Sequence, residues 1–471
     1  MFKKFKNDHN LSGDIMKNES YWQKTVNLPS FPKITSEAIY DVVIIGGGLS
    51  GISLAYRLND QKLKVALLES DVLASKTTGH TTAKVTYLHG GIVGEIAQAY
   101  NQSKAKQYFE SNYEAFKEIQ DIIKSNHIDC DYMENRAFVG ANDQKNAQKL
   151  NLQINLFKNW GIEIIENQLP GYDVSMGLAH QAIFHPLKYL AGLLKHCEHI
   201  DIFEHSLVTG SVIKDEMVVL DVNGIKVQAK QVVWMTRYPP NLQKGYFIRL
   251  LQEKEHVIYQ EGQAASSILD LTTSFSKRYL DWQHLLMIKK INDEKEWYWY
   301  GQDTVPLRKI PYIGKINEHE YVAYGYNKWG MTLSHVASKL IYELLILGDS
   351  KYASLYAVNY GNYLKAGQDI IKLVKNNYHG MIKNRLVPMQ KLKLKCNQGK
   401  VVRLHGRMLA VYKDDHGRLF YFSPYCPHLK CVVEFNEKDQ TWNCPCHGSI
   451  FDCYGNLVNG PATKNLKQYK G

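Results

Sequence analysis

Two short loops near the C-terminus carry thiols and imidazoles at similar spacing. Cys426 and His428 lie two residues apart in the first loop, and Cys444 and His447 lie three residues apart in the second. Two Cys and two His suit a two-iron, two-sulfide centre in which one iron is held by Cys and the other by His. Zinc accepts the same four ligands, so the ligand set alone leaves both centres open.

The residues around these loops favour the iron–sulfur centre. Each loop contains a further cysteine, Cys431 and Cys446, and Gly460-Pro461-Ala462 supplies a third loop stiffened by proline. Residues 383–471 resemble the Rieske iron–sulfur domain, in the disulfide-bearing form of respiratory and photosynthetic chains. The resemblance implies a disulfide between Cys431 and Cys446, which links the two loops.

The same resemblance assigns roles to single positions. It implies that Cys426 and Cys444 bind the buried iron and that His428 and His447 bind the outer iron. It also implies that Ser449 donates a hydrogen bond to a bridging sulfide. These expectations concern a [2Fe-2S] cluster rather than zinc.

Two positions depart from the high-potential members of that family. Those members usually have a Tyr two residues after the Ser, where this chain has Phe451. Loss of a donor lowers the reduction potential, because hydrogen bonds stabilise the more negative reduced state. Lys430 replaces the usual small residue near His428, and its positive charge acts in the opposite direction.

Length and composition limit the remaining possibilities. The chain has 471 residues, which predicts two or three domains, and its 45% hydrophobic content is normal for a globular protein. No run of 18 apolar residues and no secretory signal is present, so we expect a cytoplasmic protein without a membrane span. No groove of basic and aromatic residues indicates a nucleic-acid partner.

The positive charge is concentrated at the C-terminus. Residues 383–471 hold 15 Lys and Arg against 6 Asp and Glu, within a net charge of +11 for the chain. Such a surface is either a solvated basic face or a docking face for an acidic redox partner, and charge alone does not decide between them. The oligomeric state is not readable.

A nucleotide-binding pattern begins at residue 40. Residues 40–45 form a continuous β-branched run, followed by Gly46-Gly47-Gly48-Leu49-Ser50-Gly51 and a helical pattern over 52–58. A second strand is predicted at 64–68, and Glu69 ends it. Gly-x-Gly-x-x-Gly between a strand and a helix, with an acid at the end of the next strand, is typical of dinucleotide binding.

The physical requirements of such a site explain these residues. Gly46 permits the tight turn, Gly48 lets the backbone approach a pyrophosphate, and Gly51 allows the helix to pack closely on the strand. Glu69 is predicted to bind the ribose hydroxyls of the adenosine. An acid at this position repels a 2′-phosphate, so the pattern favours FAD or NAD over NADP.

The segment after the second strand favours FAD. Residues 77–86 are rich in small hydroxylated residues and glycine, suited to contact phosphates and the flavin edge, and the candidates are Thr78, Gly79, His80, Thr81 and Thr82. From here the chain resembles the D-amino-acid-oxidase and glycine-oxidase group of flavoproteins, particularly the branch fused to a Rieske domain. The resemblance extends over most of residues 19–365.

This resemblance implies further cofactor contacts. Val208 would offer its backbone to the adenine. A loop at a helix N-terminus would lie against the flavin ring, with the residues Gly325, Trp329, Gly330, Met331 and Thr332. A plain reading of the sequence agrees, because an amphipathic run follows at 336–345 and the amide end of its helix could polarise a flavin oxygen. An ordinary helix cap is the alternative.

The predicted fold is α/β with an all-β C-terminal domain: a Rossmann-like FAD-binding domain, an antiparallel-sheet substrate domain and a small β Rieske domain. Residues 1–36 are predicted to be an extended leader. The oxidoreductase spans 37–365, followed by a linker at 366–388 and the Rieske domain at 389–471. Within the oxidoreductase, the FAD domain is assembled from about 37–99, 170–236 and 304–365, and the substrate domain from about 100–169 and 237–303.

The residues that bind the substrate are the least constrained. Enzymes of this group draw a hydride from the carbon beside an amine, and the flavin accepts it, so the protein mainly orients the substrate. Candidates for holding a carboxylate are Arg249 and Tyr246, or Tyr300. Each of them has an ordinary structural role as its alternative.

The leading interpretation is an enzyme that oxidises a C–N bond at FAD and passes electrons through the cluster to an external acceptor. A second interpretation reverses the flow, so that a partner feeds electrons to the flavin through the cluster for a reductive reaction. In a third, the protein is a redox sensor or interaction protein with structural cofactors.

Overall fold

The computed structural model describes residues 18–238, 249–261, 266–273, 276–279, 284–288, 298–358, 392–404 and 406–469. The chain forms two compact units, one of residues 19–370 and the other of residues 371–471 together with Asn18. Two predictions from the sequence, the linker at 366–388 and the candidate Tyr246, lie outside the described residues.

The first unit alternates helices and strands, as its sequence periodicity predicts. Its helices are α1 (Tyr21–Thr25), α2 (Leu49–Leu58), α3 (Ile92–Ala99), α4 (Gln102–Ser125), α5 (Gln144–Asn159), α6 (Pro186–Leu194), α7 (Gly330–Ile346) and α8 (Ala353–Tyr356), with a 3-10 turn at Thr78–His80. Its strands are β1 (Ala38–Ile45), β2 (Val65–Leu68), β3 (Lys84–Val85), β4 (Met133–Ala141), β5 (Ile165–Glu166), β6 (Val174–Ile183), β7 (Ile200–Phe203), β8 (Val208–Lys214), β9 (Met217–Val222), β10 (Ile225–Trp234), β11 (Leu250–Glu261), β12 (Ser266–Asp270), β13 (Ser276–Tyr279), β14 (His284–Ile288), β15 (Tyr298–Pro306), β16 (Tyr312–Asn317) and β17 (Glu320–Tyr324).

The first sheet carries the nucleotide-binding turn. Its strand order is β16-β17-β10-β1-β2-β7, and the pairs from β17 to β7 are parallel. Residues 42–45 of β1 are all buried, as expected for a β-branched strand covered on both faces. The hairpin of β8 and β9 extends the sheet through β10. This arrangement confirms the Rossmann-like FAD-binding fold.

The second sheet has the order β15-β11-β14-β13-β12-β4-β6-β3, with β5 paired to β6. All its pairs are antiparallel except β12 with β4, so the sheet predicted to be antiparallel contains one parallel pair. Both β3 and β6 belong to this sheet, although the sequence assigned their segments to the FAD domain. β6 pairs with β4, and β3 pairs with β6. These long-range contacts decide where both strands lie, and the local periodicity of the sequence does not reveal them.

The predicted extended leader is partly helical where it is described. Ser20 caps α1 in a capping box with Gln23, because each side chain bonds the other residue's backbone N–H. Trp22 in this helix is 2% exposed and joins the main hydrophobic core. Residues 20–25 of the leader are therefore anchored in the first unit.

The second unit is an all-β domain of two small antiparallel sheets, as predicted. One sheet has the order β18 (Gln398–Leu404), β19 (Arg407–Lys413), β20 (Leu419–Phe422) and β25 (Gln468–Tyr469). The other has β21 (Glu434–Asn436), β22 (Thr441–Asn443), β23 (Ile450–Asp452) and β24 (Leu457–Asn459). In the core of this unit, the cysteines of the two cluster loops pack with aromatic side chains such as Trp442 and Phe451.

Among the described residues, no helix combines the length and the apolar content needed to cross a membrane.

Candidate flavin and cluster sites

The glycine turn lies between β1 and α2, where the sequence predicts it. Gly46 has φ +115°, and a Cβ there would lie 2.5 Å from the backbone oxygen of Met235. A Cβ on Gly51 would lie 1.9 Å from the backbone oxygen of Gly46. Gly48 occupies the N-cap of α2 without a side-chain cap. The turn thus approaches the N–H end of α2 without a side chain of its own at these three positions.

Glu69 ends β2 beside this turn. Its carboxylate accepts hydrogen bonds from the N–H of Gly47 at 2.7 Å and of Asp71 at 2.9 Å. The backbone oxygen of Glu69 accepts the N–H of Ser206 at 2.7 Å, which brings the start of β8 and its buried first residue, Val208, to the same end of the sheet. The segments predicted to contact the ribose and the adenine are therefore joined by the backbone hydrogen bond between Ser206 and Glu69.

The hydroxylated loop after β2 reaches the helix N-terminus through one side chain. The Thr78 hydroxyl accepts the N–H of Leu49 at 3.1 Å, in the first turn of α2. The Thr81 hydroxyl accepts the N–H of Ala83 at 3.2 Å, and the His80 ring bonds the backbone oxygen of Lys76. Gly79 is buried and Thr82 is partly buried. Of the five predicted residues, Thr78 is the one in contact with α2.

The predicted flavin-ring loop leads into α7. Gly325 has φ +77°, and a Cβ there would lie 3.2 Å from Leu250. Trp329 is the N-cap of α7, and its ring stacks on His89 with centroids 4.6 Å apart. Gly330 begins the helix, and the buried Met331 and Thr332 follow. All five predicted residues of this loop thus lie at or just before one helix N-terminus.

Sequence reasoning missed three residues that join the two cofactor helices. The Ser50 hydroxyl hydrogen-bonds the hydroxyls of Tyr326 at 2.8 Å and of Ser334 at 2.9 Å, which links α2 to α7 and its preceding loop. His89 hydrogen-bonds Thr332 at 3.0 Å and Tyr108 at 2.8 Å. Burial lowers the pKa of His89 to about 3, so it is neutral at pH 7. The Ser50 pairs and the His89–Thr332 pair join residues more than 200 positions apart, and no local pattern reveals them.

One face of the second sheet contacts both predicted flavin loops. The Trp299 indole donates to the backbone oxygen of His80 at 3.1 Å, and a Cβ on Gly301 would lie 3.2 Å from the same oxygen. Strand alternation places Asp303 on this face of β15. The register of β11 with β15 puts Glu253 opposite Asp303, and Glu255 opposite Gly301. These carboxylates therefore belong to the face of the sheet that contacts the predicted flavin loop at His80.

The carboxylates of Glu253, Glu255 and Asp303 form an acidic face. Lys328, from the loop before α7, forms ion pairs with two of them. Its ammonium lies 2.6 Å from Glu253 and 2.7 Å from Glu255, and all three side chains are between 27% and 30% exposed. Burial alone would lower the pKa of Lys328, but Glu255 and Glu253 raise it above its ordinary value. Burial raises the pKa of Asp303 to about 6, and the charge of Glu255 adds to this effect.

Two of the sequence candidates for a carboxylate anchor, Arg249 and Tyr300, lie far from each other. The N–H of Leu307 pairs with the backbone oxygen of Arg249, whereas Tyr300 lies opposite His256 in the β11–β15 register. Seven residues of an extended strand span about 23 Å. The Arg249 guanidinium donates to the backbone oxygen of Val358 at 3.0 Å, and Tyr300 lies under the ammonium of Lys254. Arg249 and Tyr300 cannot together hold one small carboxylate.

The two cluster loops have the same backbone design. In the first, the N–H of Lys430 donates to the backbone oxygen of Cys426 at 3.0 Å. In the second, the N–H of Gly448 donates to the backbone oxygen of Cys444 at 2.9 Å. The donor residue has positive φ in both loops, +60° for Lys430 and +73° for Gly448. A non-glycine residue at this φ is unfavourable, so Lys430 occupies a position that suits glycine.

Each cysteine sulfur receives backbone hydrogen bonds from its own loop. The N–H groups of His428 and Leu429 bond the sulfur of Cys426, and those of His447 and Cys446 bond the sulfur of Cys444. The two sulfurs also hydrogen-bond each other, which lowers the pKa of Cys426 to about 7 and raises that of Cys444 well above its ordinary value. Such N–H donors stabilise thiolates, the form that binds metal.

The imidazoles of the two loops meet edge to face. The ring centroids of His428 and His447 are 5.0 Å apart, with an angle of 83° between the ring planes. Burial lowers the pKa of His428 to about 4 and of His447 to about 3, so both are neutral at pH 7, as metal ligation requires. Cys431 and Cys446 form the predicted disulfide, which leaves Cys426 and Cys444 as the thiols of the two loops.

The third loop and the donors around the cysteines also lie in the predicted places. The Ser449 hydroxyl bonds the sulfur of Cys426 and accepts the N–H of Ala462 at 3.0 Å, which attaches the third loop to the second. Phe451 is fully buried in β23, opposite Trp442. The position of the usual Tyr is thus filled by a ring without a hydroxyl.

Comparison with known proteins agrees with this geometry. Residues 41–236 match the model of the DAO family, FAD dependent oxidoreductases, and residues 384–470 match the Rieske [2Fe-2S] domain. The Bacillus subtilis (strain 168) protein YhfW, described as a Rieske 2Fe-2S iron–sulfur protein, is 31% identical over 96% of this chain and 97% of its own length. The chain belongs to this family of FAD-dependent oxidoreductases with a C-terminal Rieske domain.

More distant relatives match one part of the chain each. The gamma-glutamylputrescine oxidoreductase of Escherichia coli (strain K12) is 23% identical over 72% of this chain and 91% of its own length. The Geobacillus kaustophilus glycine oxidase shares the fold, with a TM-score of 0.58 at 15% identity over 69% of this chain and all of that one. The chloroplastic cytochrome b6-f iron-sulfur subunit of Pisum sativum is 43% identical over 12% of this chain and 25% of its own length.

The residues present fit both cofactors of this family. For FAD, the side-chain-free turn leaves the start of α2 open beside the Glu69 carboxylate. For the [2Fe-2S] cluster, two thiols and two neutral imidazoles meet on two loops joined by a disulfide. Hydrogen bonds to the sulfurs are the feature expected of an iron–sulfur site.

Proposed function

We propose that this protein oxidises a C–N bond of a small amine or amino-acid-like substrate at FAD and passes the electrons through the cluster to an external acceptor. The observation that carries the proposal is the combination, in one polypeptide, of a glycine-oxidase-type fold and a Cys2His2 loop pair. Bound FAD would accept a hydride, which carries two electrons, and the cluster would carry single electrons. The cluster would therefore let the two electrons leave the flavin one at a time.

The acidic face of the second sheet supports a cationic substrate. Three carboxylates, Glu253, Glu255 and Asp303, lie on this face, and Lys328 balances only part of their charge. A negative surface attracts an ammonium group. An ionised Asp303 can then take a proton from that ammonium, which frees the nitrogen lone pair before the carbon is oxidised.

An amino-acid-like substrate also needs a partner for its carboxylate. Arg249, Tyr246 and Tyr300 remain the proposed residues for this role. Arg249 and Tyr300 are alternatives rather than a pair, because of their separation along β11 and β15. Replacing each separately, with KM for amino acids compared against KM for amines without a carboxylate, distinguishes them.

The C-terminal unit is the proposed exit for electrons. The excess of basic residues over 383–471 would steer an acidic redox partner protein to the cluster loops. Lys430, exposed beside His428, is part of this surface. We place the protein in the cytoplasm as part of the same proposal.

Anaerobic reduction tests the direction of flow. The holoprotein is mixed with a panel of small amines, amino acids and hydroxy acids while its absorption spectrum is recorded. We expect one class of amine to bleach the flavin bands, followed by loss of the cluster absorption. The reverse flow would be supported, and the proposal contradicted, if no member of the panel bleached the flavin while a reduced partner protein did.

A further inference from the structure

Helix α1 packs against the loop that holds Thr78. The Ser20 side chain is fully buried, and its hydroxyl hydrogen-bonds the backbone oxygen of Gly79. Gly79 is itself confined, because a Cβ there would lie 2.3 Å from the backbone oxygen of Ala74 and 3.0 Å from the side-chain nitrogen of Gln23. The helix and the loop therefore meet at a position without room for a side chain.

Two further side chains of α1 bind backbone oxygens of the same loop. The Trp22 indole N–H donates to the backbone oxygen of Thr81 at 2.7 Å, and the Gln23 amide donates to that of Ser75 at 3.3 Å. Together with Ser20, they bind the loop before, at and after its 3-10 turn. A loop held at three carbonyls has few conformations left.

The helix has its own support on the opposite side. The Trp22 ring packs edge-on against His185, with centroids 4.9 Å apart, and the Thr25 hydroxyl hydrogen-bonds the same imidazole at 2.9 Å. His185 in turn caps α6. The position of α1 is thus fixed by the rest of the first unit, so it can position the loop.

The other side of the loop contacts the N-terminus of α2. Thr78, in the middle of the loop, accepts the N–H of Leu49 there, beside the glycine turn. We propose that residues 20–23 act as a clamp that presses this loop onto α2 and so sets the affinity for FAD. Trp22 and Gln23 are positioning residues in this account, and the segment upstream of the predicted nucleotide domain becomes part of its cofactor site.

Substitutions of two donor side chains test the clamp. Trp22→Phe keeps a buried ring and loses the N–H, and Gln23→Ala removes the second donor together with its capping-box bond to the Ser20 N–H. We expect the dissociation constant for FAD, measured by flavin fluorescence on reconstituted protein, to rise about fivefold for each. Lys24→Ala is the matched control, because this side chain is 47% exposed on the same helix. Its dissociation constant should stay within twofold of wild type.

Hydrogen exchange gives a second readout that does not depend on activity. In Trp22→Phe, the amides of residues 75–83 should exchange faster, while those of β1 and β2 stay protected. The clamp is overturned if both variants bind FAD as wild type does, or if they lower only the unfolding free energy of the apoprotein. Should Trp22→Phe fail to fold, Gln23→Ala alone decides between these outcomes.

Discussion

At the scale of residues, single atoms decide which cofactors fit. The glycine turn leaves no space for a methyl group at Gly51, and the cluster pocket contains a phenyl ring at Phe451 where a hydroxyl is usual in high-potential members. Both features concern one atom or one small group. A single substitution therefore tests each of them, and the same substitution at another position of the chain serves as its control.

Gly51→Ala should abolish stable FAD binding. The new Cβ would lie 1.9 Å from the Gly46 oxygen, and overpacking of this kind costs about 1–3 kcal/mol or forces the turn to move. We expect at least tenfold weaker FAD binding in equilibrium dialysis. Gly210→Ala, with nothing within 4 Å of its new Cβ, should bind FAD normally. Equal FAD binding by the two variants would contradict the assigned turn.

Phe451→Tyr should raise the midpoint potential of the cluster. A hydroxyl that donates to a cysteine sulfur stabilises the reduced state, and one hydrogen bond of about 1 kcal/mol corresponds to roughly 40 mV for one electron. Protein-film voltammetry measures the shift. Phe420→Tyr, a partly buried ring on the other small sheet, serves as control and should leave the potential unchanged. An unchanged potential on Phe451→Tyr would show that the added hydroxyl does not reach the sulfur, and a fall would contradict the prediction.

At the scale of elements, the pairing of β11 with β15 creates the acidic face. Glu253 and Glu255 come from one strand, Asp303 from the other, and Lys328 from the loop before α7. Asp303 is the titrating member near neutral pH, since burial raises its pKa to about 6. Its ionisation should affect both catalysis and stability, with opposite signs.

The specificity constant for a cationic amine should rise with pH through about 6. Below this pH Asp303 is protonated, so it neither attracts the ammonium nor accepts its proton. In Asp303→Asn we expect this step in the profile of kcat/KM to disappear, with about tenfold lower kcat/KM at pH 8. Steady-state kinetics from pH 5 to 9 measure it. A variant profile identical to wild type would exclude Asp303 from substrate binding.

Stability should change in the other direction. The folded pKa of Asp303 is raised, so its protonated form favours the folded state fully below pH 4, and this contribution is lost as the pH rises through about 6. Asp303→Asn should therefore be more stable than wild type at pH 8, by roughly 1 kcal/mol once partial exposure is discounted. Thermal unfolding at pH 4 and pH 8 measures the difference. Asp121→Asn, at an exposed position of α4, is the control and should show none.

At the scale of the whole molecule, two compact units carry two cofactor sites. The disulfide lies entirely within the C-terminal unit. A bridge that closes 15 residues contributes about 3 kcal/mol of stability in the chain-entropy model. Reduction should thus lower the calorimetric transition of one unit and leave the other at its temperature.

The double variant Cys431→Ala/Cys446→Ala provides the control for this experiment. Its transitions should not respond to dithiothreitol, because Cys431–Cys446 is the disulfide present among the described residues. A shift in the transition of the flavin unit of wild type would contradict the assignment of the bridge to one unit.

Motifs whose residues are close in sequence were predictable from the sequence. The turn from Gly46 to Gly51 and the loop cysteines depend on neighbours a few residues away, and their chemistry requires those residue types. The pairing of β6 with β4, the bond between Ser50 and Tyr326 and the acidic face were not predictable. They join residues more than 30 positions apart, and only tertiary packing brings them together.

The most direct test of the account is the electron paramagnetic resonance spectrum of the holoprotein after anaerobic reduction with its amine substrate. If electrons pass from the substrate through FAD to a cluster bound by two Cys and two His, the spectrum should show a reduced [2Fe-2S] signal of low average g. Replacing Cys444 by Ser should remove that signal while the flavin still bleaches. A bleached flavin without any cluster signal in the wild-type protein would contradict the central claim.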